Sequence, residues 1–128
     1  MVVPEIRCIE HLLPSAEDLN HYHPSSSEFA IPLDISIGEK NKPGEDVFHL
    51  TVASPEALRS ASAHEPKWGR GYLIVSEFNY AAVVKAIKKY CDACTGETWE
   101  EVAQKLNRAM KWEFDGYKPS RPVKNPDR

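Results

Sequence analysis

The chain lacks any apolar run approaching the ~18 residues that a membrane-crossing helix requires, so no membrane partner is expected. Its ten N-terminal residues, Met-Val-Val-Pro-Glu-Ile-Arg-Cys-Ile-Glu, have neither the basic start nor the unbroken apolar stretch of a signal peptide. There are only three cysteines, an odd count that builds no disulfide framework and suits a reduced, cytoplasmic protein. Basic charge is not in surplus: 16 Lys and Arg stand against 19 Asp and Glu, for a net charge of −3 and a pI near 5.9. That balance argues against nucleic acid as a direct partner. The sequence also contains no phosphate-binding Walker loop, dinucleotide fingerprint, serine nucleophile elbow or zinc-protease helix. Neither a cofactor nor a metal is implied.

What is present fits one domain. With 128 residues and 41% apolar content, the chain is long enough to bury a single core. Charge is unevenly spread. Residues 116–128 hold Lys118, Arg121, Lys124 and Arg128 against Asp127, a net +3, which leaves −6 on the other 115 residues. Pro119, Pro122 and Pro126 punctuate the same stretch. Residues 1–117 are therefore read as one domain and 118–128 as a flexible, basic, Pro-rich tail.

The hydrophobic pattern predicts the elements. Val3 to Ile9 has weak strand character. Leu13 to Glu28 reads as a loop with a helical turn near Ser15–Asp18. Phe29, Ile31, Leu33, Ile35 and Ile37 then alternate with Ala30, Pro32, Asp34 and Ser36, which predicts a half-buried strand. Pro32 has no N–H to give a neighbour, so this strand is expected at an edge or with a bulge. After a polar loop from Gly38 to Asp46, the alternation of Phe48, Leu50 and Val52 with His49 and Thr51 predicts the second arm of a hairpin. Its polar face is expected to be wet. Ser54-Pro55-Glu56 opens a short helix, and the apolar run Tyr72–Val75 predicts a more central strand. Two helices follow. The first is capped by Asn79, with Tyr80, Val83, Val84, Ile87, Cys91 and Cys94 at helical spacing and Gly96 in the turn beyond. The second opens on Thr98-Trp99-Glu100-Glu101, a capping box, and carries the stripe Trp99, Val102, Ala103, Leu106, Met110. The fold class expected is α+β: a mainly antiparallel sheet, a C-terminal helix pair packed on one face, and a short closing strand.

That closing strand is the densest piece of information in the chain. Trp112 to Tyr117 places three aromatics and two acids in six residues. In an extended conformation Trp112 and Phe114 share one face while Glu113 and Asp115 share the other. Segments without a packing partner are poor in aromatics, so this one docks on a core or on a partner. Other candidate chemistry is thinner. Cys91-Asp92-Ala93-Cys94 falls at a helix C-terminus, where the dipole opposes thiolate formation, and no second pair exists for zinc. His21-Tyr22-His23 has no third ligand in view. His49 is a conceivable general base on the polar sheet face, near Thr51 and across from Asp34 or Ser36, but it has no visible nucleophile. The acids Asp34, Glu45, Asp46, Glu97, Glu100, Glu101, Glu113 and Asp115 are predicted exposed. Each is explained by solubility alone. Gathered on one surface, they would mimic phosphates toward a basic nuclease and speed encounter.

The order of these landmarks resembles the immunity protein 8 family of bacterial polymorphic toxin and contact-dependent growth inhibition systems. The matching residues are Phe29 with Ile35-Ser36-Ile37-Gly38, then Gly44 to Val52, Ser54 to Leu58, Trp68, Leu73-Ile74-Val75, Thr98-Trp99, and Leu106 with Lys111 to Tyr117. Together they span roughly residues 3–117. Ser54-Pro55 stands where the family tends to have Thr-Pro, and Gly116 where it tends to have an acid or similar residue. The resemblance implies a non-enzymatic cytoplasmic protein that binds and neutralises one cognate toxin domain, often a nuclease. It casts Trp68, Trp99, Trp112 and Phe114 as scaffold, with Trp99, Trp112 and Phe114 in the core. Asp34, Glu45, Asp46, Glu113, Asp115 and Tyr117 then become the expected toxin contacts, in a 1:1 complex with a monomer. Two rival readings stay open: a small enzyme using His49 on an open sheet face, and an adaptor recognised through the basic Pro-rich tail.

Overall fold

The computed structural model describes residues 1–13 and 18–114. Three strands, β1 (Pro4–His11), β2 (Ala30–Glu39) and β3 (Asp46–Ala53), form an antiparallel meander. The far edge of β3 carries two further strands. β4 (Tyr72–Ile74) lies parallel to Thr51–Ala53, and β5 (Lys111–Trp112) lies antiparallel to Phe48-His49. A parallel neighbour cannot be reached by a tight turn; helix α1 (Pro55–Ala61) and the loop after it supply the crossover. Helices α2 (Tyr80–Asp92) and α3 (Trp99–Leu106) bury their apolar stripes in the same core as the sheet. This is the α+β arrangement expected, and among the described residues no helix is long and apolar enough to cross a membrane.

The alternation in β2 places the core. Ile31, Leu33, Ile35 and Ile37 are at most 1% exposed, opposite Val52, Leu50, Phe48 and Asp46 on β3. Burying each such side chain contributes roughly 1.5–3 kcal/mol, so one face of one strand sets the orientation of the whole sheet. From the helices, Val83, Ile87, Cys91, Val102, Ala103, Leu106 and Met110 complete the cluster. Ser54 ties this body together. Fully buried, its Oγ accepts from Ala57 N at 3.2 Å, capping α1, and from Phe29 N at 3.0 Å, anchoring the start of β2.

Several expectations are corrected. β2 is not an edge strand; it lies between β1 and β3. Pro32 is tolerated because its missing N–H faces the side where β1 stops: Leu12 N donates to Pro32 O at 3.2 Å, just past the last register pair His11–Leu33. The irregularity falls instead on β1, between Ile6 and Cys8. β4 is not central either. It is three residues long, β3 is its only strand partner among the described residues, and Ile74 is 59% exposed. The polar sheet face is not uniformly wet: Ser36 is buried and Asp34 and Thr51 are half-buried, while His49 is exposed. α2 ends at Asp92, so Cys94 lies beyond the helix, though still buried. The regular turn in the first long loop is a 3-10 helix at Leu19–His21, capped by Asp18, and residues 14–17 lie outside the described residues. At α3, Thr98 Oγ1 accepts from Glu101 N at 3.2 Å as the capping box requires, but the Glu101 carboxylate accepts from Glu97 N at 3.0 Å rather than from its own cap. Gly96 makes room for that carboxylate, since a Cβ there would stand 2.7 Å from Glu101 Oε1. The tail at 118–128 lies outside the described residues.

Candidate functional site

The acids and aromatics singled out in the sequence converge where β5 closes onto β3. Asp46 begins β3, Trp99 opens α3, and Trp112 ends β5. One carboxylate oxygen, Asp46 Oδ2, accepts from both indoles: Trp99 Nε1 at 2.8 Å and Trp112 Nε1 at 3.1 Å. A half-buried indole N–H needs an acceptor, and a charged acceptor is the strongest available. Trp112 then stacks on Phe48 with ring centroids 6.4 Å apart and planes 12° apart, and Phe114 meets Trp112 edge-on at 5.8 Å and 85°. Glu113 repeats the device with backbone: its Oε2 accepts from Val47 N at 2.6 Å while its own N–H donates to Val47 O at 3.0 Å.

Asn107 and Arg70, which the sequence did not single out, hold the entry to this strand. Asn107 Oδ1 accepts from Trp112 N at 2.8 Å and from Arg70 Nη1 at 2.9 Å, and the same guanidinium nitrogen donates to Asn107 O at 2.7 Å. The available signal was an Asn at the end of a helical stripe, a residue that commonly ends helices. Nothing in the local pattern pointed to Arg70 as its partner.

This geometry divides the predicted contact residues. Asp46 is half-buried and engaged by two tryptophans; Glu113 is engaged by the β3 backbone; Asp34 pairs with His49 across the hairpin at 2.6 Å. All three were expected to be exposed; Glu113 is, Asp34 and Asp46 are half-buried, and the pairing of Asp34 with His49 is the one the hairpin pattern offered. Glu45 is exposed and makes no hydrogen bond or ion pair among the described residues. It lines a concavity of about 290 Å³ at the hairpin loop, with Glu39, Lys42, Pro43, Asp46 and Trp99. Asp115 and Tyr117 lie outside the described residues. Among the aromatics, Trp99 and Trp112 pack against the core, whereas Phe114 is 42% exposed and covers Trp112 from outside instead of entering the core. Trp68 departs furthest from its expected scaffold role: it is 94% exposed, in the loop leading to β4.

The remaining chemistry is structural in character. In register, Glu10, Asp34, His49 and Lys111 form one row across β1, β2, β3 and β5, a cross-strand charge ladder on an exposed face. His49 there has a carboxylate on one side and a lysine on the other, and among the described residues no hydroxyl or thiol nucleophile is hydrogen-bonded to it. Burial pushes the Cys91 thiol from its usual 9.0 up to about 12, with Cys94 and Asp92 adding to the effect, and burial likewise raises Cys94. Both thiols are therefore held protonated, the opposite of what a redox pair needs. His21 pairs with Asp18 at 3.1 Å, and among the described residues no cluster of three His, Cys, Asp or Glu is placed to hold a metal ion.

Comparisons with curated proteins and with solved structures gave no match. A family model described as Immunity protein 8 matches residues 6–117, a span that takes in all but the first two residues of β1, the strands β2 to β5, the helices α1 to α3 and the whole Asp46–Trp99–Trp112 closure. The chain belongs to the Immunity protein 8 family.

Proposed function

We propose that this protein binds one cognate toxin domain and neutralises it stoichiometrically, by occluding the toxin's active site or substrate-binding surface. The observation that carries this reading is the family match across residues 6–117. Immunity is a binding function, and a binding role is consistent with buried, protonated thiols and a histidine locked in a charge ladder. The net charge of −6 on residues 1–115 supports a basic toxin such as a nuclease. Within that surface Glu45 is the acid best placed to meet a toxin Lys or Arg, because Asp34, Asp46 and Glu113 already hold internal partners. A single copy acting in the cytoplasm in a 1:1 complex completes the proposal.

The test is co-expression with the cognate toxin domain. Growth should be restored at equimolar expression, and death despite soluble, folded immunity protein overturns the reading. If charge steers the encounter, Glu45→Lys slows association and flattens its salt dependence without changing the melting temperature. An unchanged on-rate and salt slope removes Glu45 from the interface.

A further inference from the structure

Two hydrogen bonds fix how β4 lies on β3. Thr51 N donates to Gly71 O at 2.8 Å, and Val75 N donates to Ala53 O at 3.0 Å. Backbone groups alternate sides along a strand, so Gly71, Leu73 and Val75 turn toward β3 while Tyr72 and Ile74 turn away. The outward N–H and C=O groups of Tyr72 and Ile74 meet no hydrogen-bonding partner among the described residues. Beside this open edge is an apolar pocket of about 150 Å³, whose lining includes Tyr72, Leu73, Ile87, Tyr90, Ala109 and Met110. A cavity of that order can take a benzene ring, so it has room for one apolar side chain. Exposed apolar surface continues at either end, in Trp68 before β4 and Ile74 at its end.

The charge around this edge is mainly positive, although Lys67 pairs with Glu65 at 2.9 Å and Lys88 with Asp92 at 3.4 Å. The segments that build it, residues 67–75, 85–90 and 105–111, contain eight Lys or Arg, half of the chain's 16, and no Asp or Glu. Lys85, Lys89, Arg108 and Lys111 have no carboxylate partner among the described residues. The aliphatic stem of Lys111 lies over Gly71 at the start of β4, within 3.1 Å of where a Cβ would stand, and Gly71 takes φ +91, so the cation is seated at the edge itself. Such a rim selects its occupant. A second copy of the chain would bring the same cations together, and the chain's own residues 116–128, at net +3, carry the same sign.

We propose that the open edge of β4 receives an extended, acid-bearing segment of the cognate toxin domain as an added strand. One apolar side chain fills the pocket, and carboxylates meet Lys89, Arg108 and Lys111. The inference rests on the immunity reading above and adds the chemistry of the partner at a second point of contact. Asp46 and Ala53 bound β3 and are seven residues apart. At about 3.4 Å per residue that is roughly 24 Å, within the reach of one interface of standard size. The acidic hairpin loop and the basic β4 edge can therefore engage one toxin and fix its orientation by opposite charge.

The experiment is amide hydrogen exchange on the full chain, free and in complex with the cognate toxin domain. In the free chain Tyr72 and Ile74 should exchange quickly, and in the complex at least about tenfold more slowly, with Leu73 little changed because it already faces β3. Ile74→Pro deletes one outward N–H while leaving the bonds to β3, and should weaken Kd about tenfold. Ile74→Ala, which keeps that N–H, should weaken it less, and Lys89→Glu with Arg108→Glu should slow association. A neutralised toxin with Tyr72 and Ile74 still exchanging at free rates overturns this inference and leaves the immunity reading standing. Slow exchange in the free chain also overturns it: dependence on concentration identifies a second copy as the occupant, and loss on deleting residues 118–128 identifies the chain's own tail. Failure of the toxin to bind at all overturns both.

Discussion

β3 offers one continuous edge to two short strands, and the fold treats them in opposite ways. β5 is two residues long, too short for its backbone ladder to hold it, and it is fastened by side chains. Asp46 grips its indole, Glu113 grips Val47, Phe48 stacks beneath Trp112, and Asn107 accepts from its backbone. β4 is hardly longer at three residues, yet it has no such fastening, and its outer edge stays unpaired among the described residues. The difference shows where conspicuous residues go. Aromatics and acids that look like a contact surface in sequence are what a two-residue strand needs in order to stay closed. A plain apolar strand flanked by lysines and arginines is what remains available.

If that contrast is right, damage to the β5 closure should appear as lost stability. Trp112→Ala should have the largest effect, about 3–5 kcal/mol, because it removes the stacked ring and one of the two indole donors together. In a domain of ordinary stability, near 5–15 kcal/mol, that change approaches unfolding. Urea titration is the measurement, and a loss below about 1 kcal/mol would mean that the closure is decorative. Asp46→Ala should follow at about 2–3 kcal/mol, since two half-buried indole N–H groups lose a charged acceptor. Asp46→Asn keeps one oxygen that can accept from both indoles without the charge, and should recover part of the loss. If Ala and Asn behave alike and cost little, Asp46 is not a brace and returns to the list of free acids.

How much of this was legible in the sequence depends on the physical range of each signal. The β2 alternation, the caps Ser54, Asn79 and Thr98, and the helix stripes are local, and apart from Cys94 and Met110, which lie past the ends of α2 and α3, the structure places them where the pattern did. Cys91 and Cys94, which the sequence offered as neither a redox pair nor a zinc site, are buried in the core. The pairings across long stretches of chain were not legible. Asp46 lies 53 residues from Trp99 and 66 from Trp112, and no local rule separates an acid that will accept from two indoles from one that will face solvent. Pro32 misled for the same reason: its missing N–H matters only relative to where β1 ends, which the sequence around residue 32 does not record. The expectation for Tyr72–Val75 failed because an apolar run reports burial on average, and Ile74 instead marks an exposed strand edge.

The smallest effect separates the two strands most sharply. Ile74→Thr keeps a β-branched side chain and the backbone N–H, and removes apolar surface that is already 59% in contact with water. Its stability should lie within about 0.5 kcal/mol of the parent, as for surface changes that touch no cap, core or network. Yet it thins the apolar margin of the proposed toxin groove, so a measurable loss of toxin affinity at unchanged urea midpoint is expected. Replacing Trp112 on β5 cannot give that pattern, because there the side chain is the attachment. If Ile74→Thr instead lowers the midpoint as Trp112→Ala does, β4 is also held by its side chains, and the contrast between the two halves of the β3 edge disappears.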